Sequence, residues 1–364
     1  MPESCGCGCG CCVLEYAPSL HLFLDRFNPF LHLFNLAGAQ RLGGEEMATI
    51  TVPASSPSPD EDANKLRKAF QGWGTDEKTI IEILSHRNAA QRLAIAETYA
   101  RLYGESLLER LHSELSGDFR KAVMLWTMDP AERDAKLANE ALKRKVDSHL
   151  WVIIEVACAS SPDHLIAVRK AYCSLYSSSI EEEVAHRFST IQPLSKLLVC
   201  LLTSYRYPGD HVDSELAKYE AAQLSDAVKS NQVGNEDVIR ILSTRNKSQL
   251  EETFKCYIEN YGKHIVEDIE VNKSQFTGVL KTAIWCLTSP EKHFAEVVRT
   301  SVVGLGTDED SLTRAIVTRA EIDLKKIKME YKIQYKTTLK ADVIDDTSGD
   351  YMRFLLALVG SEDL

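Results

Sequence analysis

The chain repeats itself four times, and this constrains its fold more than any other feature. The segment Glu82–Leu107, shifted by 73 residues, meets Glu155–Ile180, and shifts of 158 and 232 reach matching segments that begin at Arg240 and Arg314. A tyrosine pair spaced i, i+4 falls at the same place in every copy: Tyr99/Tyr103, Tyr172/Tyr176, Tyr257/Tyr261 and Tyr331/Tyr335. These pairs take up eight of the 13 tyrosines, so chance is a poor explanation. The i, i+4 spacing puts both rings on one helical face, where they serve packing between helices rather than radical or cofactor chemistry. A length of 364 residues alone would suit two or three domains, but the recurrence replaces that with four units packed as one body.

Within a unit the apolar pattern is helical throughout. Leu66, Ala69 and Phe70 form one stripe, then Ile80, Ile81, Ile83 and Leu84, then Leu93, Ala96 and Tyr99. Leu107, Leu108, Leu111 and Leu115 follow, and Phe119, Val123 and Trp126 close the unit. Gly and Ser-Gly breaks separate these pieces into about five short helices per repeat. Strand-type alternation is nearly absent, so the fold class is all-α. The repeats are expected at 61–130, 131–207, 208–292 and 293–364. About 12 extra residues lie between the second and third, around Thr203–Asp213, where Pro208-Gly209 reads as a longer connecting loop.

The first 46 residues look foreign to this pattern. Five of the ten cysteines fall at Cys5, Cys7, Cys9, Cys11 and Cys12, followed by an apolar, His-dotted stretch from Leu20 to Ala39. The start has no basic region for a secretory signal and no Arg/Ser richness for a transit peptide. Met47-Ala48-Thr49 can serve as a translation start, so 1–46 reads as an upstream extension that adds no fold. The functional alternative is palmitoylation of the cysteine cluster; alternating Cys-Gly lacks zinc-type spacing. Residues 47–60, with the Pro/Ser run Thr51–Asp60, read as a flexible tail. The other five cysteines are scattered, odd in number and without CxxC spacing, as in a reduced, cytosolic protein.

One motif carries chemistry. Gly72-Trp73-Gly74-Thr75-Asp76-Glu77 in the first unit matches Gly304-Leu305-Gly306-Thr307-Asp308-Glu309 in the fourth at an offset of 232. Each sits between two helical stripes, and Thr75 and Thr307 are placed to cap the following helix. A turn with a good cap does not explain a second matched element 40 residues past Gly74 and Gly306. There Glu114 precedes Leu115-Ser116-Gly117-Asp118, and Asp346 precedes Thr347-Ser348-Gly349-Asp350, in the same register. Glycines allow a loop whose carbonyl oxygens turn to a common point, and a carboxylate from another loop can complete an oxygen cage for Ca²⁺. One negative charge per site gives weak intrinsic affinity, and a lipid phosphate is a natural outside ligand. The net charge of −11 argues against nucleic acid and against direct attraction to anionic lipid. It leaves open a membrane bridged by Ca²⁺.

Four repeats of about 70 residues, with GxGT followed about 40 residues on by an acid, resemble an annexin over roughly Asp60 to Leu364. Gly72-Trp73-Gly74-Thr75, the Met124–Arg133 run and intact motifs only in repeats 1 and 4 resemble plant annexins in particular. The resemblance implies one compact curved body and type II calcium sites. It places the ligands at the carbonyls of Phe70, Gly72 and Gly74 with Glu114, and of Val302, Gly304 and Gly306 with Asp346. It implies that Trp73 and Leu305, at the loop tips, touch the lipid interface. It implies Ca²⁺ as cofactor, anionic phospholipid as partner, and a cytoplasmic protein at the periphery of the plasma membrane when Ca²⁺ rises.

Repeats 2 and 3 depart from the motif. Their glycine positions are Lys145 and Asp147, and Ser230 and Gln232; the acid positions are Arg187 and Asn272, with Glu270 nearby. Neither is expected to form a good site. An enzymatic role is the competing reading. His86 resembles a histidine proposed for peroxidase activity in plant annexins, yet no distal pocket can be read beside it. Asp346-Thr347-Ser348-Gly349 fits a nucleotide-type DxxG, but no GxxxxGK[ST] loop accompanies it. The reading is therefore a binding protein and not an enzyme. Ile239-Arg240-Ile241 resembles a short sequence proposed for actin binding, which makes F-actin a candidate partner. Self-association on membranes, cation conduction, and redox control through Cys158 and Cys286 are further family properties; buried, inert thiols are the default for that pair.

Overall fold

The computed structural model describes residues 47–72, 74–144, 149–271, 273–304 and 306–361. They form twenty helices and no strand. Repeat 1 holds α1 (Pro59–Ala69), α2 (Glu77–Leu84), α3 (Ala89–Tyr103), α4 (Leu107–Glu114) and α5 (Gly117–Thr127). Repeat 2 holds α6 (Pro130–Lys143), α7 (Leu150–Cys158), α8 (Pro162–Tyr176), α9 (Ile180–Arg187) and α10 (Gln192–Thr203). Repeat 3 holds α11 (Ser214–Lys229), α12 (Glu236–Thr244), α13 (Lys247–Tyr261), α14 (Ile265–Glu270) and α15 (Gln275–Thr288). Repeat 4 holds α16 (Pro290–Val302), α17 (Glu309–Arg319), α18 (Leu324–Tyr335), α19 (Leu339–Asp346) and α20 (Gly349–Val359).

The third helix of each repeat carries the tyrosine pair and packs on the first helix. Asn88, Ser161 and Asn246, in one register, cap α3, α8 and α13 with their side-chain oxygens. Each helix then ends just after the second tyrosine, at a left-handed residue: Gly104, Ser177, Gly262 or Lys336. The break holds even where the residue is not glycine, because the packing of both flanking helices fixes it. The first tyrosine of every pair is buried, and the rings lie 4.8–4.9 Å apart in all four repeats. A cation from the first helix (Arg67, Lys143, Lys229 or Arg299) lies over the second ring at 4.7–5.4 Å.

The second and fifth helices join the repeats. α5 and α2 of repeat 1 pack on α17 and α20 of repeat 4, and α7 and α10 of repeat 2 pack on α12 and α15 of repeat 3. Phe119 and Phe354 meet edge-on at 6.1 Å across the first of these junctions. A buried ionic cluster ties repeat 2 to repeat 4. Glu155 of α7 accepts from Arg314 Nε at 2.9 Å, and His293 Nε2 lies 2.9 Å from its other oxygen. Nearby, Arg319 pairs with Asp323, and Arg133 with Asp134. Cys158 and Cys286 are buried free thiols; burial pushes Cys158 up to about 11 and Cys286 well above the ordinary range. Thr49, in the segment expected to be flexible, is anchored: its amide donates to Ala320 O at 2.9 Å and its hydroxyl to Leu358 O at 2.6 Å. The extension 1–46 lies outside the described residues. Among the described residues no helix is long and apolar enough to cross a membrane.

Candidate calcium and membrane site

The loop between α1 and α2 and the loop between α16 and α17 are built alike. Ser58 caps α1, and the helix runs out after Ala69, where Gln71-Gly72 begins the turn. Each loop closes on one main-chain bond in the same register: Asp76 N–H donates to Ala69 O at 2.9 Å, and Asp308 N–H to Ser301 O at 2.8 Å. Between these ties the backbone passes through left-handed conformations at Gly72 (φ 116°) and Gly74 (φ 96°), and at Gly304 (φ 145°) and Gly306 (φ 87°). A side chain at these positions would be strained, which is the physical reason for the paired glycines. Phe70 and Val302, the other carbonyl donors expected, are buried at the helix ends.

The threonines do not cap. Asp76 and Asp308 cap α2 and α17, accepting from Thr79 N at 3.0 Å and Ser311 N at 3.1 Å. The Thr79 hydroxyl and amide hold the Asp76 carboxyl below its ordinary range. Thr75 and Thr307 instead reach across to the acid loops. Thr307 Oγ1 donates to the Asp346 carbonyl at 2.9 Å, and Thr75 Oγ1 to Glu114 Oε2 at 2.8 Å. These bonds tie each glycine loop to its acid, so the elements that the sequence placed 40 residues apart come together in both repeats. Both acids end a short helix, Glu114 closing α4 and Asp346 closing α19. They also line one hollow of about 390 Å³ where repeats 1 and 4 meet, together with Glu77, Asp118, Glu309 and Asp350.

The donor set fits a hard cation. Asp346 Oδ2 is buried and has no hydrogen-bond partner, an orphan acceptor that a cation satisfies. Among the described residues no three His, Cys, Asp or Glu side chains cluster as a metal site, so a cation here must draw on main-chain carbonyls. Repeat 1 also brings an arginine to its acid. Arg110 Nη2 donates to the Phe70 carbonyl at 3.2 Å and pairs with Glu114 Oε1 at 2.8 Å. Trp73 and Leu305 lie outside the described residues.

Among the described residues, the two degenerate repeats do not show this arrangement. In repeat 2 Arg187, at the acid position, donates to the Arg144 carbonyl at 2.8 Å; Lys145 and Asp147 lie outside the described residues. In repeat 3 the loop closes earlier, with Gln232 N–H on Ala227 O at 2.8 Å, and Asn231 rather than a glycine takes the left-handed conformation. Glu270 is paired with Lys281, and Asn272 lies outside the described residues.

The residues behind the other readings have ordinary structural partners. His86 Nδ1 lies 3.0 Å from the Glu82 carbonyl and 3.0 Å from Ser85 Oγ at the end of α2. His86 also lines a hollow of about 690 Å³ with Pro53, Lys65 and Lys68. Ile239 and Ile241 are buried in the core, and Arg240 pairs with Glu220 at 3.0 Å.

Comparison with known proteins agrees with the fold. The annexin family model matches residues 61–126, 133–191, 219–287 and 293–358. Annexin D3 of Arabidopsis thaliana is 51% identical over 322 residues, covering 87% of this chain and all of that protein. Among solved structures, annexin III superposes with a TM-score of 0.82 at 31% identity, over 88% of this chain and 99% of that one. A calcium-bound annexin (Sm)1 superposes with a TM-score of 0.75 at 28% identity, over 86% of this chain and 93% of that one. The chain belongs to the annexin family, and it is similar to plant members.

Proposed function

We propose that this annexin docks reversibly on anionic phospholipid when Ca²⁺ rises, through sites in repeats 1 and 4. The observation that carries the reading is the loop duplicated in repeats 1 and 4, closed by the same bond and tied to an acid with the same offset. The carbonyls of Phe70, Gly72 and Gly74 with Glu114 would hold one ion. Those of Val302, Gly304 and Gly306 with Asp346 would hold the other. Ca²⁺ takes six to eight oxygens, so each set leaves positions for water or a lipid phosphate. The bound ion supplies the positive charge that an acidic protein lacks towards an acidic surface. Trp73 and Leu305, between the glycines, are the residues proposed to enter the lipid interface. The function is binding and not catalysis. The location that follows is the cytoplasmic face of a membrane, the plasma membrane first.

Vesicles of equimolar phosphatidylserine and phosphatidylcholine test this. The chain should sediment with them in Ca²⁺ and return to the supernatant on adding a chelator. Equal sedimentation with and without Ca²⁺, or none in either, contradicts the proposal.

A further inference from the structure

The geometry points to Arg110 as a tethered cation that fills the repeat 1 site until Ca²⁺ displaces it, so that repeat 4 loads at lower Ca²⁺ than repeat 1. The inference rests on the reading that both loops are calcium sites, and goes beyond it by ranking them. It starts from the register of the repeats. The positions equivalent to Arg110 are Glu183, Asp268 and Asp342, an acid in each of the other three repeats. In repeats 3 and 4 that acid serves the buried tyrosine. Asp268 accepts from Tyr257 OH at 2.8 Å and pairs with Lys263; Asp342 accepts from Tyr331 OH at 2.5 Å and pairs with Arg299 at 2.5 Å. In repeat 1 both duties pass to Glu105, which accepts from Tyr99 OH at 3.0 Å and pairs with Arg67, the register mate of Arg299. With the acid moved to 105, position 110 no longer needs a negative charge. It holds the opposite one.

That charge is aimed at the loop. The Arg110 guanidinium sits between the Phe70 carbonyl (3.2 Å) and Glu114 Oε1 (2.8 Å), two oxygens expected of the calcium ligand set. Thr75 takes the second oxygen of Glu114. Both carboxylate oxygens of repeat 1 therefore have partners. In repeat 4 Asp342 faces the tyrosine instead, Thr307 bonds only the main chain of Asp346, and Asp346 Oδ2 stays buried without a partner. One site is closed by an internal cation; the other presents an unsatisfied oxygen.

A guanidinium is a competitor that can be beaten. It carries one charge against two, and its planar fork cannot gather six to eight oxygens. Its release is physically open too: the Arg110 side chain is 31% exposed, and its Nε is buried with no hydrogen-bond partner in the closed position. Repeat 2 shows the limiting case, in which the acid itself has become Arg187 and its guanidinium bonds the loop carbonyl of Arg144. Docking should then proceed in two stages, first through repeat 4 and then through repeat 1 as Ca²⁺ climbs.

The test isolates repeat 1 in the full chain with Asp346→Asn, and reads the Ca²⁺ concentration for half-maximal sedimentation with equimolar phosphatidylserine and phosphatidylcholine vesicles. A calorimetric Ca²⁺ titration without vesicles accompanies it. Adding Arg110→Gln should lower the Ca²⁺ requirement about three- to ten-fold in both measurements, as expected for removing a partly exposed charged competitor. Arg110→Lys keeps the charge and should stay closer to the Asp346→Asn parent than Arg110→Gln does. An unchanged or raised requirement in Arg110→Gln overturns the inference. Failure of the underlying reading looks different: Asp346→Asn with Glu114→Gln would still bind Ca²⁺ in the calorimeter.

Discussion

Replacing Glu114 by Gln together with Asp346 by Asn should raise the Ca²⁺ needed for vesicle binding by more than about 100-fold. Even partners that only orient a metal ligand are worth about 10–100-fold, and these two substitutions remove the sole charged ligand of each site. Both side chains stand at helix ends lining an open hollow, outside the packed core. The amides keep the shape and the acceptor oxygen that Thr75 uses, so the fold is expected to survive. Far-ultraviolet circular dichroism and the thermal midpoint should match the parent chain while sedimentation is lost. Retained Ca²⁺-dependent sedimentation would remove these residues from the account.

The largest effect on stability is expected at Glu155→Gln. Glu155 is buried and bonded to Arg314 and His293, so it holds α7 of repeat 2 against α16 and α17 of repeat 4. Removing its charge strands the Arg314 guanidinium in the interior, and breaking such a buried pair costs about 3–5 kcal/mol. A shift in the urea midpoint measures it. The effect depends on pH with a definite sign. Burial alone would raise the Glu155 carboxyl, but Arg314 and His293 override that and hold it below its ordinary range. A carboxyl depressed in the folded state stabilises above its unfolded pKa, about 4.3, and loses that contribution as pH falls through the folded value. The gap between parent and variant should therefore be full near neutral pH and narrow in acid. A gap that does not narrow assigns the loss to packing instead.

Much of this was legible in the sequence because a repeat exposes its own register. The tyrosine pairs and the glycine–acid offset of 232 each recur in place, and the structure brings those elements together. Within one motif, spacing could not tell adjacent capping residues apart. Thr75 and Asp76 both suit an N-cap, and the choice fell to Asp76 because Thr75 reaches the acid loop, a contact 39 positions away. The Glu155–Arg314 pair was invisible for a related reason: its members share one column of the register, and superposing the repeats aligns such residues without showing that two copies face each other. Arg110 could have been found. Its column reads acid in the other three copies, and a lone reversal of charge beside a proposed cation site is a signal that helical patterning passes over.

The most direct measurement of the central claim is a crystal structure grown in Ca²⁺, with the ions located by anomalous scattering. The account predicts one ion on the carbonyls of Val302, Gly304 and Gly306 with Asp346, and one on those of Phe70, Gly72 and Gly74 with Glu114. It predicts Arg110 turned away from Glu114 where the second ion is bound, and no ion in the corresponding loops of repeats 2 and 3. Ions in those two loops, or none at Glu114 and Asp346, would contradict it.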